Sequence, residues 1–181
     1  MKKVVFVCGM AGGKRDMFLI KKILKEFDWI YFPYDVWLNK PIEDTAIKLE
    51  RFIDKIKLNK LEKVSIVAFS AGGIVAEYYL RFLDNKKVDK IVTVVSPFKG
   101  SWLGNFSFLF FRKNKGVRQL RVGSKFLRKL RSKPLKIVKE KNIYCFLDPL
   151  VQGTSGKGDC PEHSYFFLHW IIQFWPPVIY S

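Results

Sequence analysis

A chain of 181 residues with 49% hydrophobic and 27% charged residues has enough apolar material for one buried core and too balanced a composition for a disordered segment. Its formal net charge is +17, and much of the excess lies in residues 112–141, where Arg112, Lys115, Arg118, Arg121, Lys125, Arg128 and their basic neighbours face only Glu140. Three cysteines (Cys8, Cys145 and Cys160) are too few for a disulfide framework, and Cys8 and Cys145 sit in apolar runs, so reduced thiols and a cytoplasmic location are expected.

Residues 4–8 form a β-branched run closed by Gly9, Gly12 and Gly13. Lys2 and Lys3 before it imitate a signal peptide, but the apolar run is short for one, and a buried first strand is expected instead. Asp16 is expected to cap a helix whose apolar positions Phe18, Leu19, Ile23 and Leu24 recur at helical spacing. A second strand is expected over 29–32, ended by Pro33, and an amphipathic helix over 43–58 carries Ile47, Leu49, Phe52, Ile53 and Ile56 between charges. A third strand over 64–69 leads through Ser70, Ala71, Gly72 and Gly73 into a helix reaching Leu83. A fourth strand is expected over 91–95 and a fifth over 143–147. Residues 101–111 read as a loop dense in Trp102, Leu103, Phe106, Phe108, Leu109, Phe110 and Phe111, and 152–162 as a polar, glycine-rich loop. The last helix is expected to open at His163. Its most apolar stretch, 165–175, is too short for a membrane span and is interrupted by His169 and Gln173. Strands alternating with helices predict a mostly parallel sheet of about five strands with helices on both faces, an α/β fold in one domain over 1–181.

Chemistry concentrates at the third strand. A serine on a sharp strand-to-helix turn stands exposed above the sheet, small residues two before and two after it let helix and strand pack closely, and the helix N-terminus favours developing negative charge. Ala68-Phe69-Ser70-Ala71-Gly72 meets each requirement. The glycine-rich turn Cys8-Gly9-Met10-Ala11-Gly12-Gly13 is placed to supply a second oxyanion donor, so the backbone N–H groups of Met10 and Ala71 are the expected oxyanion hole. Lys14 invites a phosphate-loop reading, which fails because Cys8 stands where the first glycine is needed and Arg15 where Ser or Thr is needed. The spacing of Gly9 and Gly12 fails the dinucleotide pattern.

An orienting acid and then a histidine should follow such a serine. Asp148 ends the fifth apolar run and His163 follows the glycine-rich loop, which makes them the expected acid and base. Asp159 and Glu162 are alternative acids near His163, and His169 reads as a packed core residue. Cys160 with His163 lacks further metal ligands at useful spacing, and neither a metal nor another cofactor is expected.

At these residues the sequence resembles the α/β-hydrolase family, in particular its small bacterial lipases and esterases. The Gly9-Met10 turn resembles the family's oxyanion loop, with Cys8 where histidine is usual. Ala68-Phe69-Ser70-Ala71-Gly72 resembles the Ala-x-Ser-x-Gly elbow. Ser96-Pro97-Phe98-Lys99-Gly100-Ser101 is similar to a Thr-Pro-x-x-Gly segment, and Leu120-Arg121-Val122-Gly123-Ser124, with Phe126, Leu127 and Leu130, to a Leu-x-Pro-Gly-Ser helix start. Asp148-Pro149-Leu150-Val151 and His163-Ser164 match the acid and histidine loops. The family carries another strand between acid and histidine. Residues 151–162 contain no apolar run to form it, so either the sheet is a strand shorter or the geometry around the acid and histidine differs from the family's.

The resemblance implies a serine hydrolase acting on acyl or lipid esters through an acyl-enzyme, with Ser70, His163 and Asp148 as triad. A thioesterase or acyltransferase using the same residues, or a catalytically silent relative bound to an anionic membrane or nucleic acid, are the alternatives. The 101–111 loop is expected to wall or cover an acyl site, and the basic segment to contact an anionic membrane peripherally, with nucleic acid the less expected partner.

Overall fold

The computed structural model describes residues 1–101 and 113–135, without the side chains of Leu19 and Ile23, and the backbone alone of residues 139–144 and 163–165. The strands are β1 (Lys2–Val7), β2 (Phe27–Tyr31), β3 (Val64–Phe69), β4 (Val88–Val94), β5 (Lys139–Tyr144) and β6 (His163–Tyr165). The helices are α1 (Lys14–Ile23), α2 (Ile42–Asp54), α3 (Ala71–Phe82), α4 (Lys115–Gln119) and α5 (Lys125–Ser132). Asp148, the aromatic loop after Ser101, the loop 152–162, Cys145, Cys160 and His169 lie outside the described residues. Among the described residues, no helix is long and apolar enough to cross a membrane.

Among the described residues the sheet has six strands in the order β2-β1-β3-β4-β5-β6, all paired in parallel. In a parallel sheet both faces are covered by crossover helices, which is why β1 reads as an unbroken apolar run. Its side chains divide between the faces. Val5 and Val7 join Ile66, Ala68 and the buried stripe of α2 and α3 (Ala46, Leu49, Ile53, Ile74, Val75, Tyr79). Val4 and Phe6 face the other way, against Met17 of α1 and Trp29.

Three sequence expectations need correction. A short strand, β6, begins at His163, so that residue lies in extended backbone rather than at the start of a helix. The backbone of β6 pairs with β5, Asn142 with His163 and Tyr144 with Tyr165, a bond pattern that needs no apolar run. β5 spans Lys139–Tyr144, earlier than the expected 143–147, because pairing Lys90–Val94 with Lys139–Ile143 recruits the polar residues too. The cap of α1 is Gly13 in extended backbone. Asp16 lies in the first turn, where its carboxylate accepts the Gly13 N–H at 3.0 Å.

Candidate active site

Two connections leave the sheet at its centre. From β1 the chain crosses to β2 on one side, and it returns through α2 to β3 on the other. The reversal opens a crevice beyond the C-terminal ends of β1 and β3, the place where open α/β sheets bind ligands. The last pair in this register is Val7 with Ala68. Two residues further, β1 has become the glycine loop at Gly9 and β3 has become Ser70.

Ser70 has φ 48° and ψ −124°, a conformation that favours glycine and costs a side-chain-bearing residue on the order of 1–3 kcal/mol. Bonds on both sides hold it there. Its N–H donates to the Val94 carbonyl at 2.8 Å and its carbonyl accepts the Gly73 N–H at 3.0 Å. Although Ser70 occupies the N-cap position of α3, its side chain makes no capping hydrogen bond. The hydroxyl is half-buried at the positive end of a helix whose first turn carries no acidic residue.

The small residues after Ser70 answer a steric demand. A Cβ on Gly72 would lie 2.2 Å from the Cys8 carbonyl oxygen and 2.6 Å from that of Val7, and a Cβ on Gly73 would lie 1.9 Å from Ser96 Oγ. The start of α3 is thereby pressed onto the end of β1. That loop is held from beneath. Tyr34 Oη donates to the Cys8 carbonyl at 2.7 Å, and Gly12 N–H bonds the Gly9 carbonyl at 3.1 Å. Ala11 has φ 58°, and the Met10 side chain packs on the main core.

Cys8, expected as a buried thiol, is fully buried, with its sulfur 3.5 Å from Tyr31 Oη. Burial chiefly pushes its pKa up, so it is a packing residue at neutral pH. The Asp16 carboxyl is also raised by burial, opposed by the Gly13 N–H. A carboxyl raised on folding costs stability as pH rises through its folded value, and that cost is absent below the unfolded value near 3.8. Acid titration of wild type beside Asp16→Asn is therefore expected to show wild type gaining on the variant as pH falls from neutral toward 4. A constant difference in urea midpoint across that range would contradict the assignment.

Sequence reasoning missed the neighbour on β4. Val95 has φ 50°, unusual for a β-branched residue, and both it and Ser96 are fully buried. Ser96 Oγ has no partner among the described residues. Nothing in the local sequence marks this strain except Pro97, which restrains the residue before it.

Of the expected site residues, Ser70 and Ala71 follow the C-terminal end of β3, and Met10 lies in the loop after the adjacent β1. His163 is placed by backbone alone. Pairing runs Ala68–Thr93–Asn142–His163 across the sheet, so His163 is level with Ala68, three strands away, or roughly 14 Å at the usual strand spacing. Among the described residues no cluster of His, Cys, Asp and Glu suits a metal ion.

No family model matches the sequence, and no curated protein matches it. Solved structures do. The mature form of a Bacillus licheniformis lipase aligns over 80% of this chain and 64% of its own, with TM-score 0.65 and 21% identity. Aspergillus fumigatus lipase B aligns over 96% of this chain and 46% of its own, with TM-score 0.71 and 18% identity. Polyneuridine aldehyde esterase aligns over 96% and 94%, with TM-score 0.61 and 13% identity. The chain thus spans less than two thirds of the length of both lipases. The likeness shows the fold, which is that of the α/β-hydrolases.

Proposed function

We propose that this α/β-hydrolase fold carries a serine esterase of lipase type, with Ser70 as nucleophile. The observation behind the reading is Ser70 itself: a strained residue at the strand–helix turn, beside the topological switch point, with a hydroxyl that caps nothing. Such strain persists only where the surroundings enforce it, and here it lifts a hydroxyl to the N-terminus of α3 opposite a glycine loop. In the proposed reaction Ser70 Oγ attacks the acyl carbon, and the N–H groups of Met10 and Ala71 hold the oxyanion. A histidine takes the serine proton and returns one to the leaving alcohol, oriented by Asp148. Water then releases the acid. The solved relatives whose names say lipase or esterase support an ester or lipid substrate.

The sequence nominates His163 as the base. The register favours a second assignment, since ligands meet a parallel sheet beyond its C-terminal ends. His169 follows Tyr165, the last residue of β6, whereas His163 begins that strand. These are the only histidines in the chain. Reaction with a fluorophosphonate ester tests the proposal and separates the two. Wild type should label at Ser70, Ser70→Ala should not, and one of His163→Ala and His169→Ala should lose labelling while the other keeps it. A folded wild-type protein that does not label, or that labels unchanged without both histidines, overturns the esterase reading.

A further inference from the structure

The α4–α5 region holds a concavity of about 430 Å³, lined by Lys115, Arg118, Arg121 and Lys125 together with Gln119 and Ser124. It is within the size range of small-molecule sites. Its frame is tied from three directions. Gln119 Oε1 accepts the Ile42 N–H at 2.7 Å, and Ser124 Oγ donates to the Gln119 carbonyl at 2.6 Å while accepting the Leu127 N–H at 3.1 Å. Arg121 pairs through its backbone with Ser101, the end of the segment leaving β4. The carboxylate at the start of α2, Glu43, is taken up by the Gln119 amide at 2.6 Å. Lys115, Arg118 and Lys125 form no ion pair among the described residues, and all three are exposed. Pro41, which also lines this cavity, belongs to the connection after β2, which leaves the sheet at the same edge as Ser70.

We propose that this cavity is a binding site for a phosphate group borne on a small headgroup. Lys115, Arg118 and Lys125, three exposed cations around one concavity, repel each other unless an anion joins them, and their number suits a multiply charged anion better than a carboxylate. The Arg118 guanidinium fork offers paired donors to the oxygens of a phosphate, while the ammonium groups of Lys115 and Lys125 act as point charges that follow it. The volume exceeds that of a lone phosphate and leaves room for the group that carries it. On the esterase reading, the ligand is the headgroup of an anionic phospholipid. The binding itself does not depend on that reading, because it involves neither Ser70 nor the oxyanion loop.

The test uses the full chain as wild type, as Ser70→Ala and as two charge-matched triple variants. One replaces Lys115, Arg118 and Lys125 by Gln. The other replaces Lys21, Lys22 and Lys25, exposed residues in and after α1 on the opposite face of the sheet, by Gln. Circular dichroism confirms that each folds. The probes are inorganic phosphate, by calorimetry, and phosphatidylcholine vesicles with and without phosphatidic acid, by sedimentation. Wild type and Ser70→Ala should bind the phosphatidic acid vesicles equally. The cavity variant should lose about a hundredfold in affinity, with each cation contributing roughly fivefold near such a surface, and the α1 variant should lose much less. Binding of inorganic phosphate that the cavity variant alone abolishes would support the site with a soluble source for the anion. Equal loss in the two triple variants, or no binding of either probe, overturns the proposal.

Discussion

Replacing Ser70 by Ala is expected to remove essentially all ester cleavage, roughly 10⁴–10⁶-fold where a serine nucleophile is lost, with little change in stability. Ser70→Gly should abolish cleavage equally and raise stability by about 1 kcal/mol over the Ala variant. The reason is the backbone at φ 48°, which strains any side chain with a Cβ and leaves glycine unstrained. Urea midpoints of the two variants beside hydrolysis of a soluble chromogenic ester measure both effects. Gly no more stable than Ala would show that the turn stores no strain, and retained hydrolysis in both variants would move the nucleophile elsewhere.

The largest stability effect is expected at α3. Glu77 is buried and paired with Arg81 one turn on, both almost fully removed from solvent. Arg81 also donates to the Lys133 carbonyl, tying α3 to the end of α5, while the second oxygen of Glu77 has no partner among the described residues. Arg81→Ala strands the carboxylate in the core and should cost about 3–5 kcal/mol. Replacing the pair together, as Glu77→Leu with Arg81→Met, should recover most of that loss, because the cost lies in an uncompensated charge rather than in the missing attraction. A double variant as unstable as the single one would show that the Lys133 tie, not the buried charge, dominates.

The part of the molecule that carries the proposed chemistry was legible in its sequence because several demands coincide there. Val64–Phe69 is buried on alternate positions against α2 and α3, and Gly72 and Gly73 are forced by backbone and side chain at their Cα atoms. Apolar pattern and small-residue pattern therefore both mark one turn. β5 and β6 were poorly legible because their pairing is a main-chain affair, written in neither KEKNIY nor HSY. For the same reason His163 read as a helix start. The strain at Val95 left no local sign beyond Pro97, since a positive φ in a buried β-branched residue is set by tertiary packing. The basic segment read as a run of charge suited to an anionic membrane, yet its spacing of 115, 118, 121 and 125 crosses a helix break at Leu120–Ser124. Only the tertiary ties through Gln119 and Ser101 bring those four side chains around one cavity.

Cys8 has a use that follows from its position. Its thiol is sealed beneath the loop that faces Ser70, and burial keeps it protonated, so an alkylating reagent reaches it only when the end of β1 parts from α1 and Tyr31. The rate of iodoacetamide capture at this cysteine, followed by mass spectrometry of its own peptide, is then a clock for the opening of the glycine loop. A ligand in the crevice that braces Gly9 and Met10 slows the clock by the factor with which it stabilises the closed loop. Occupancy becomes measurable without turnover, in a variant that has no nucleophile at all.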